Sequence, residues 1–391
     1  MDLRDSPEEA AFRKEVVDFI EKEAPKFPRG TRLEEVLVKS GDWFRKLAAR
    51  GWIAPAWPKE YGGAGMSVVE QFIFNEEMAI HRAPRPLHLI IGLGMAGPTI
   101  VVHGTEEQKA KWLPGMLAGT DIWCQGYSEP EAGSDLASLR TRAVKDGDDY
   151  VLNGQKIWST IAHFARWMIC LARTDSDAPK HRGITYFVVD MKSPGVEVRG
   201  LTNMADSHEF NEVFFDNVRV PKENVLGEEN RGWYVAMTTL DFERSSVGSA
   251  IGMRQEVEEM IEYAREHADE PTSALKLNPM LRLEMVDRLI EAEAGRMLSY
   301  RIASMQARGL IPNYEASLLK VYSAELHQRI ARTQLKVLGM YAQLKSGSAQ
   351  APLDGRWCNQ YLRSVGYTIE AGTSEIQRNI IAQRGFGLPR G

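Results

Sequence analysis

The period of the hydrophobic pattern switches twice along this 391-residue chain, and that double switch limits the fold more than any single motif. Between residues 123 and 228, short β-branched and aromatic runs alternate with turn residues. They are Tyr150-Val-Leu-Asn, Trp167-Met-Ile-Cys-Leu-Ala, the run from Gly183 to Asp190, Val196-Glu-Val-Arg, and the run from Glu212 to Pro221. Two alternating runs joined at Asp146-Gly147-Asp148 read as a β-hairpin. On both sides of this centre the apolar spacing is helical. The pattern predicts an α+β fold in three parts: an N-terminal α-helical domain over 1–122, a middle β domain over 123–228, and a C-terminal helical bundle over 229–391. A centre of about 100 residues suits a small β-barrel or sandwich.

Local signals place the helices. Ser6 is a natural N-cap with Pro7 at the first helical position and acids in the first turn. A helix near Asp42 to Arg50 should stop at Gly51. Thr105 and Gln108 form a capping box. In the last third the pattern predicts helices over Trp233–Met253, Arg254–His267, Arg282–Ala307, Tyr314–Leu338 and Ser374–Arg384, an antiparallel bundle with a short final helix.

Several function classes fall away. A net charge of −5 gives no reason to expect nucleic acid or an anionic membrane as partner. The three cysteines, Cys124, Cys170 and Cys358, are odd in number and far apart, which argues for a reducing compartment rather than a disulfide framework. No metal-ligand spacing is present. The acidic N-terminus lacks the apolar stretch of a signal peptide and no run could span a bilayer, so the expected location is cytoplasmic. Leu89-Ile-Ile-Gly92-Leu-Gly94-Met-Ala-Gly97 matches a G-x-G-x-x-G dinucleotide fingerprint. Pro98 follows at once, however, and a fresh capping box starts only seven residues later at Thr105, so no βαβ unit is readable. Those glycines are expected to serve close helix packing.

Two stretches carry the chemistry. Cys124-Gln-Gly-Tyr-Ser-Glu-Pro-Glu-Ala-Gly-Ser-Asp135 ends in small residues that let a planar or phosphorylated ligand approach bare backbone. About twenty residues later comes Gly154-Gln-Lys-Ile-Trp-Ser-Thr160. Together they closely resemble the flavin-binding signature of the acyl-CoA dehydrogenase family. The resemblance covers nearly the whole chain and adds two further pieces in the right order, FFDNVRVPKENVLG and the terminal AGTSEIQRNIIAQR.

That resemblance implies FAD as cofactor, an acyl-CoA thioester as substrate, and α,β-dehydrogenation with electrons handed to an electron-transfer flavoprotein. It carries cofactor contacts onto Gln125, Tyr127, Ser128, Gly133, Ser134, Trp158, Ser159, Thr160, Thr373 and Glu375. Ser134, Arg244 and Ala371 fall on substrate-contacting positions, Ala371 through its backbone N–H. The α-proton needs a carboxylate base kept from water, with a pKa raised from about 4.3 by burial. Many members place that base just before the Gly-Thr of the terminal motif, where this chain has Ala371. Another branch, which includes isovaleryl- and long-chain-type enzymes, places it on the first bundle helix, and Glu243 falls there. Glu370, one residue upstream of Ala371, is the rival. The residues after Glu243 (Ser245, Ser246, Gly248, Ser249 and Gly252) are small and leave room for a ligand.

The departures point to assembly. Glu131 stands where the family usually has Gly. The Arg-x-x-Phe-Gly element that reaches a neighbour's FAD is replaced by His267, Glu270 and Pro271, and Gln-x-x-Gly-Gly is eroded to Lys336-Val-Leu-Gly-Met340. Both lost elements serve the adjacent subunit, so the expected assembly is a tetramer, either with a second, related chain or as a homotetramer in which nearby basic residues such as Arg265 compensate. A bundle-helix base also accompanies branched and bulky substrates, sterol side-chain thioesters among them. An acyl-CoA oxidase and a non-catalytic half-site subunit are the alternatives. A flavin monooxygenase of this fold would lack Glu243.

Overall fold

The computed structural model describes residues 4–27, 31, 33–244, 249–271, 273–310 and 312–389, with side chains outside the described part at 33–34, 241–244 and 249–251. The helices are α1 (Pro7–Glu23), α2 (Leu33–Lys39), α3 (Gly41–Ala49), α4 (Val68–Ile80), α5 (Gly97–His103) and α6 (Glu106–Leu117), then α7 (Gly232–Arg244), α8 (Ser249–Glu266), α9 (Ala274–Leu277), α10 (Leu281–Ala307), α11 (Tyr314–Leu338), α12 (Arg356–Ser364) and α13 (Ser374–Ile380). The strands between α6 and α7 are β1 (Trp123–Gly126), β2 (Arg142–Asp146), β3 (Asp149–Lys156), β4 (Trp167–Arg173), β5 (Ile184–Asp190), β6 (Val196–Leu201) and β7 (Phe210–Val220). The order α, then β, then α is the one expected from the sequence. None of the described helices is long and apolar enough to cross a membrane.

The middle strands form one seven-stranded sheet in the order β1-β4-β2-β3-β7-β6, with β5 on the other side of β4. The expected hairpin is there: Asp146 pairs with Asp149 across Gly147, whose φ of +66° suits glycine. Leu152, Met168, Cys170, Phe187, Val213 and Val218 pack its core. All three cysteines are buried free thiols.

By contact the chain divides into two compact units. One comprises residues 44–65 and 86–243: the sheet, α5, α6 and α7. At residues 92–96 it holds a single π-helical turn that runs straight into α5, so the apparent dinucleotide fingerprint is helical, with no strand before it. A Cβ at Gly97 would sit 1.9 Å from the Trp57 ring, which is the close packing expected of that glycine. The other unit comprises residues 1–43, 66–85 and 244–391. Within it, Met253, Val257, Met260, Leu326, Ile330 and Trp357 form the core of the bundle. Arg13 of α1 bridges Glu76 and Glu77 of α4, and Glu76 also meets Arg296 and Tyr300 of α10.

The helix expected from Trp233 to Met253 is described as α7 up to Arg244 and as α8 from Ser249, and residues 245–248 lie outside the described residues. Helix α12 has no counterpart among the expected elements. It is short, and left-handed Leu353, Asp354 and Gly355 start it without a side-chain cap.

Candidate functional site

The two signature stretches meet side by side. Glu129 and Ala132 close a tight turn through a pair of backbone hydrogen bonds, each 3.0 Å, and Ile157 N donates to Ser128 O at 3.0 Å. Beneath them lies a buried ion pair. Lys156, with no solvent exposure, donates to Glu129 Oε1 at 2.8 Å and to Tyr127 O at 3.1 Å. Glu129 also accepts from the backbone N–H groups of Arg140 and Thr141. Burial alone would raise its pKa, but Lys156 and these donors outweigh that and hold the carboxyl below its ordinary value. A fully bonded buried pair fixes register, and removing one partner strands the other charge.

Lys156 leads into a strained turn. Trp158 (φ +61°) and Ile161 (φ +51°) both adopt left-handed backbone, uncommon for bulky or β-branched residues. Asn211 of β7, itself fully buried, holds this turn. Its carbonyl accepts from Ser159 N at 3.0 Å, and its Nδ2 donates to Ser159 O at 2.9 Å. Its Oδ1 faces His163 Nδ1 and His208 Nε2, both at 3.0 Å, and the two imidazoles stack 4.3 Å apart. The turn presents Trp158 with 58% of its surface exposed. The sequence reading did not single out Asn211. Its partners Ser159 and His163 lie about fifty residues away, and no local pattern marks it.

Tyr127 reaches a different neighbour. Its ring meets Tyr186 edge-on at 6.1 Å, and the Tyr186 hydroxyl lies 3.1 Å from Thr239 Oγ1 on α7. Thr239 in turn meets Thr99 of α5 at 2.9 Å. Burial pushes the Tyr186 phenol up to about 12, although bonds with Thr239, Tyr127 and Thr99 act in the opposite direction. Val235, Ala236 and Thr239 form the buried stripe of α7, and Gly232 lets the helix start against the Tyr186 backbone. Glu243 stands one turn beyond Thr239 in the same register. Its side chain and that of Arg244 lie outside the described residues.

The residues present fit a flat ring system with polar edges. Gln125 Nε2 and Ser159 Oγ are buried without a protein partner, and both fall on expected cofactor positions. A Cβ at Gly133 would meet nothing within 4 Å, and Ser134 beside it is exposed. Glu131 is a solvated side chain 3.9 Å from the equally exposed Arg140. So Gln125, Tyr127, Ser128, Gly133, Ser134, Trp158, Ser159 and Thr160 all belong to one unit.

The remaining expected residues belong to the other unit. Ala371 (φ +53°) and Gly372 (φ +84°) form a left-handed corner ahead of α13. Thr373 caps that helix by accepting from Ile376 N at 3.2 Å, and Glu375 is exposed. Ser374 Oγ and Gln377 Oε1 beside them are buried without partners. Ala371 N makes no hydrogen bond among the described residues. Glu370 is engaged by Arg363 at 2.9 Å. His267 stacks on Tyr263 at 4.0 Å within its own helix region, Met340 is 81% exposed, and Gly252 has open space where a Cβ would stand.

Comparison with known proteins agrees along the length. Three family models match: the acyl-CoA dehydrogenase N-terminal domain over residues 6–120, its middle domain over 124–218 and its C-terminal domain over 230–386. Acyl-CoA dehydrogenase IpdE1 of Mycobacterium tuberculosis is 38% identical over 366 residues, covering 92% of this chain and 90% of that protein. A solved structure titled Tcur3481-Tcur3483 steroid ACAD matches with a TM-score of 0.87 and 31% identity over the full length of both chains. The ChsE4-ChsE5 complex from Mycobacterium tuberculosis matches with a TM-score of 0.83 and 34% identity, again over all of both chains.

Proposed function

Because this chain belongs to the acyl-CoA dehydrogenase family of FAD-dependent flavoproteins, we propose that Glu243 is its catalytic base and removes the α-proton of an acyl-CoA thioester. The observation that carries this reading is the buried path from the Tyr127 ring, edge-on to Tyr186, through the Tyr186 hydroxyl to Thr239. It ties the cofactor motif to α7 one turn before Glu243. Glu370 is the weaker candidate, since its carboxylate is already bound by Arg363. FAD, when bound, supplies the acceptor for the β-hydride. Trp158 offers it an exposed aromatic face, and Gln125 and Ser159 offer unspent polar atoms. The Ala371 N–H is free to donate to the thioester carbonyl, a role that needs no side chain and that acidifies the α-proton.

The assembly we propose is a heterotetramer with a related chain, using an electron-transfer flavoprotein as acceptor and a bulky, steroid-derived acyl group as substrate. The support is twofold. His267, Glu270 and Pro271 lack the Arg and Phe that would reach a neighbour's cofactor, and two of the matching structures carry two-component titles, one of them a steroid enzyme.

Glu243→Gln tests the base. FAD should stay bound while turnover falls by a factor on the order of 10² or more. Near-normal turnover in that variant, with loss in Glu370→Gln instead, would reverse the assignment. Native mass and flavin content test the assembly: two FAD per four chains is expected with a partner. This chain alone, fully active with one tightly bound FAD per subunit, would refute the heteromer.

A further inference from the structure

Residues 365–373 link α12 to α13 and carry the Ala371 corner. The N–H of residue 371 lies in the planar peptide unit that joins Glu370 to Ala371. Its aim is therefore set by ψ of Glu370 and φ of Ala371. Ala371 sits at φ +53°, a left-handed backbone uncommon for a residue with a Cβ. Such a conformation persists only where the surrounding structure over-determines it.

Side chains grip this peptide from both ends. Upstream, Arg363 in the last turn of α12 donates from Nη2 to Glu370 Oε2 at 2.9 Å. The same guanidinium lies over the Tyr367 ring, 4.7 Å from its centroid, and the His327 ring of α11 meets that tyrosine at 4.9 Å. Lys320 donates to Tyr367 O at 3.1 Å, and Gln328 donates to Thr368 Oγ1 at 3.2 Å. Glycine at 366 makes room for the arginine, since a Cβ there would stand 2.7 Å from Arg363 Nη1. Glu370 N itself donates to Gly366 O at 3.0 Å. Downstream, the buried Gln377 donates through Nε2 to Ala371 O at 3.4 Å. Glu370 is thus held by its side chain and Ala371 by its carbonyl, and the peptide plane between them has little freedom to turn. The Arg363 and Glu370 side chains are 23% and 39% exposed, and an ion pair that open to water adds little to stability. What it restrains is a direction.

We propose that Arg363 and Glu370 are positioning residues, whose ion pair fixes the Glu370–Ala371 peptide plane and so aims the Ala371 N–H. This rests on the reading that this N–H donates to the thioester carbonyl. It gives the Glu370 carboxylate a task other than that of base.

The test uses para-dimethylamino-cinnamoyl-CoA, whose absorbance moves to longer wavelength as its carbonyl accepts a hydrogen bond. Titrated into the FAD-loaded protein, it should show that red shift. Arg363→Gln and Glu370→Gln should each lose most of the shift and lower turnover by about fivefold or more. Their double variant should be no worse than either single one, because all three lack the same bond. Arg363→Lys keeps the charge and should recover part of the shift and of the turnover. The melting temperature should hardly move in any of them. A full red shift in both single variants, with turnover within about twofold of the parent, overturns the proposal and leaves the Ala371 donor standing. No red shift in the parent removes that donor, and the proposal with it. A collapse of turnover confined to Glu370→Gln makes Glu370 the base and overturns the proposal together with the Glu243 assignment.

Discussion

Replacing Asn211 by Ala would remove the side chain that holds the Trp158 turn. Three contacts go: the Nδ2 donation to Ser159 O at 2.9 Å, and the Oδ1 contacts with His163 and His208 at 3.0 Å each. At about 1 kcal/mol net per bond the loss is about 3 kcal/mol. The turn stores strain of the same order, since left-handed Trp158 and Ile161 each cost roughly 1–3 kcal/mol. The backbone bonds from Ser159 and Ile161 and the edge-on contact of Trp158 with Phe210 would remain to oppose it. The turn should relax in the cofactor-free protein, and binding would have to restore it. If that restoration takes the whole 3 kcal/mol, the FAD dissociation constant rises about a hundredfold. Dilution of the flavin-loaded variant, followed by the recovery of free-flavin fluorescence, reads this directly. Circular dichroism of the sheet should stay unchanged, because Asn211 keeps its backbone pairing with Gly200. An Asn211→Ala protein that retains FAD within about twofold of the parent would refute the positioning argument.

Trp158→Ala should weaken FAD retention by roughly 1–3 kcal/mol through loss of an aromatic face, while unchanged retention and flavin absorbance would make Trp158 a surface residue only. For pH, burial holds the His163 imidazole below its ordinary 6.5, with the nearby His208 acting in the same direction and the Asn211 bond opposing. A His whose folded pKa is lowered favours the neutral form, so its contribution is complete above about 6.5 and declines as pH falls below that value. FAD retention measured from pH 7 down to 5 should therefore fall more steeply in the parent than in His163→Gln, and equal slopes would remove His163 as the cause.

Much of this protein was determined by the sequence alone, wherever the controlling interaction is local. Ser6 caps α1 and Thr105 forms its capping box with Gln108 as expected, and Glu9 completes a box with Ser6 as well, since each closes over three residues. The hairpin at Gly147 needed only a glycine and alternating flanks. The flavin signature was legible because its backbone-approach residues and its tryptophan sit in two short runs. Tertiary structure decided the rest. Nothing near Asn211, Tyr186 or Thr239 in the chain marks them, because Ser159 for Asn211 and Thr239 for Tyr186 lie tens of residues away and meet them only when β7, β5 and α7 pack. The joining of α1 and α4 with the C-terminal bundle includes the ion pairs of Arg13, Glu76 and Arg296, three charges far apart in the chain. Propensity and capping act over three or four residues and can be read from a string. Long-range pairing depends on which surfaces the folded chain brings together, and that is fixed only by burial in three dimensions.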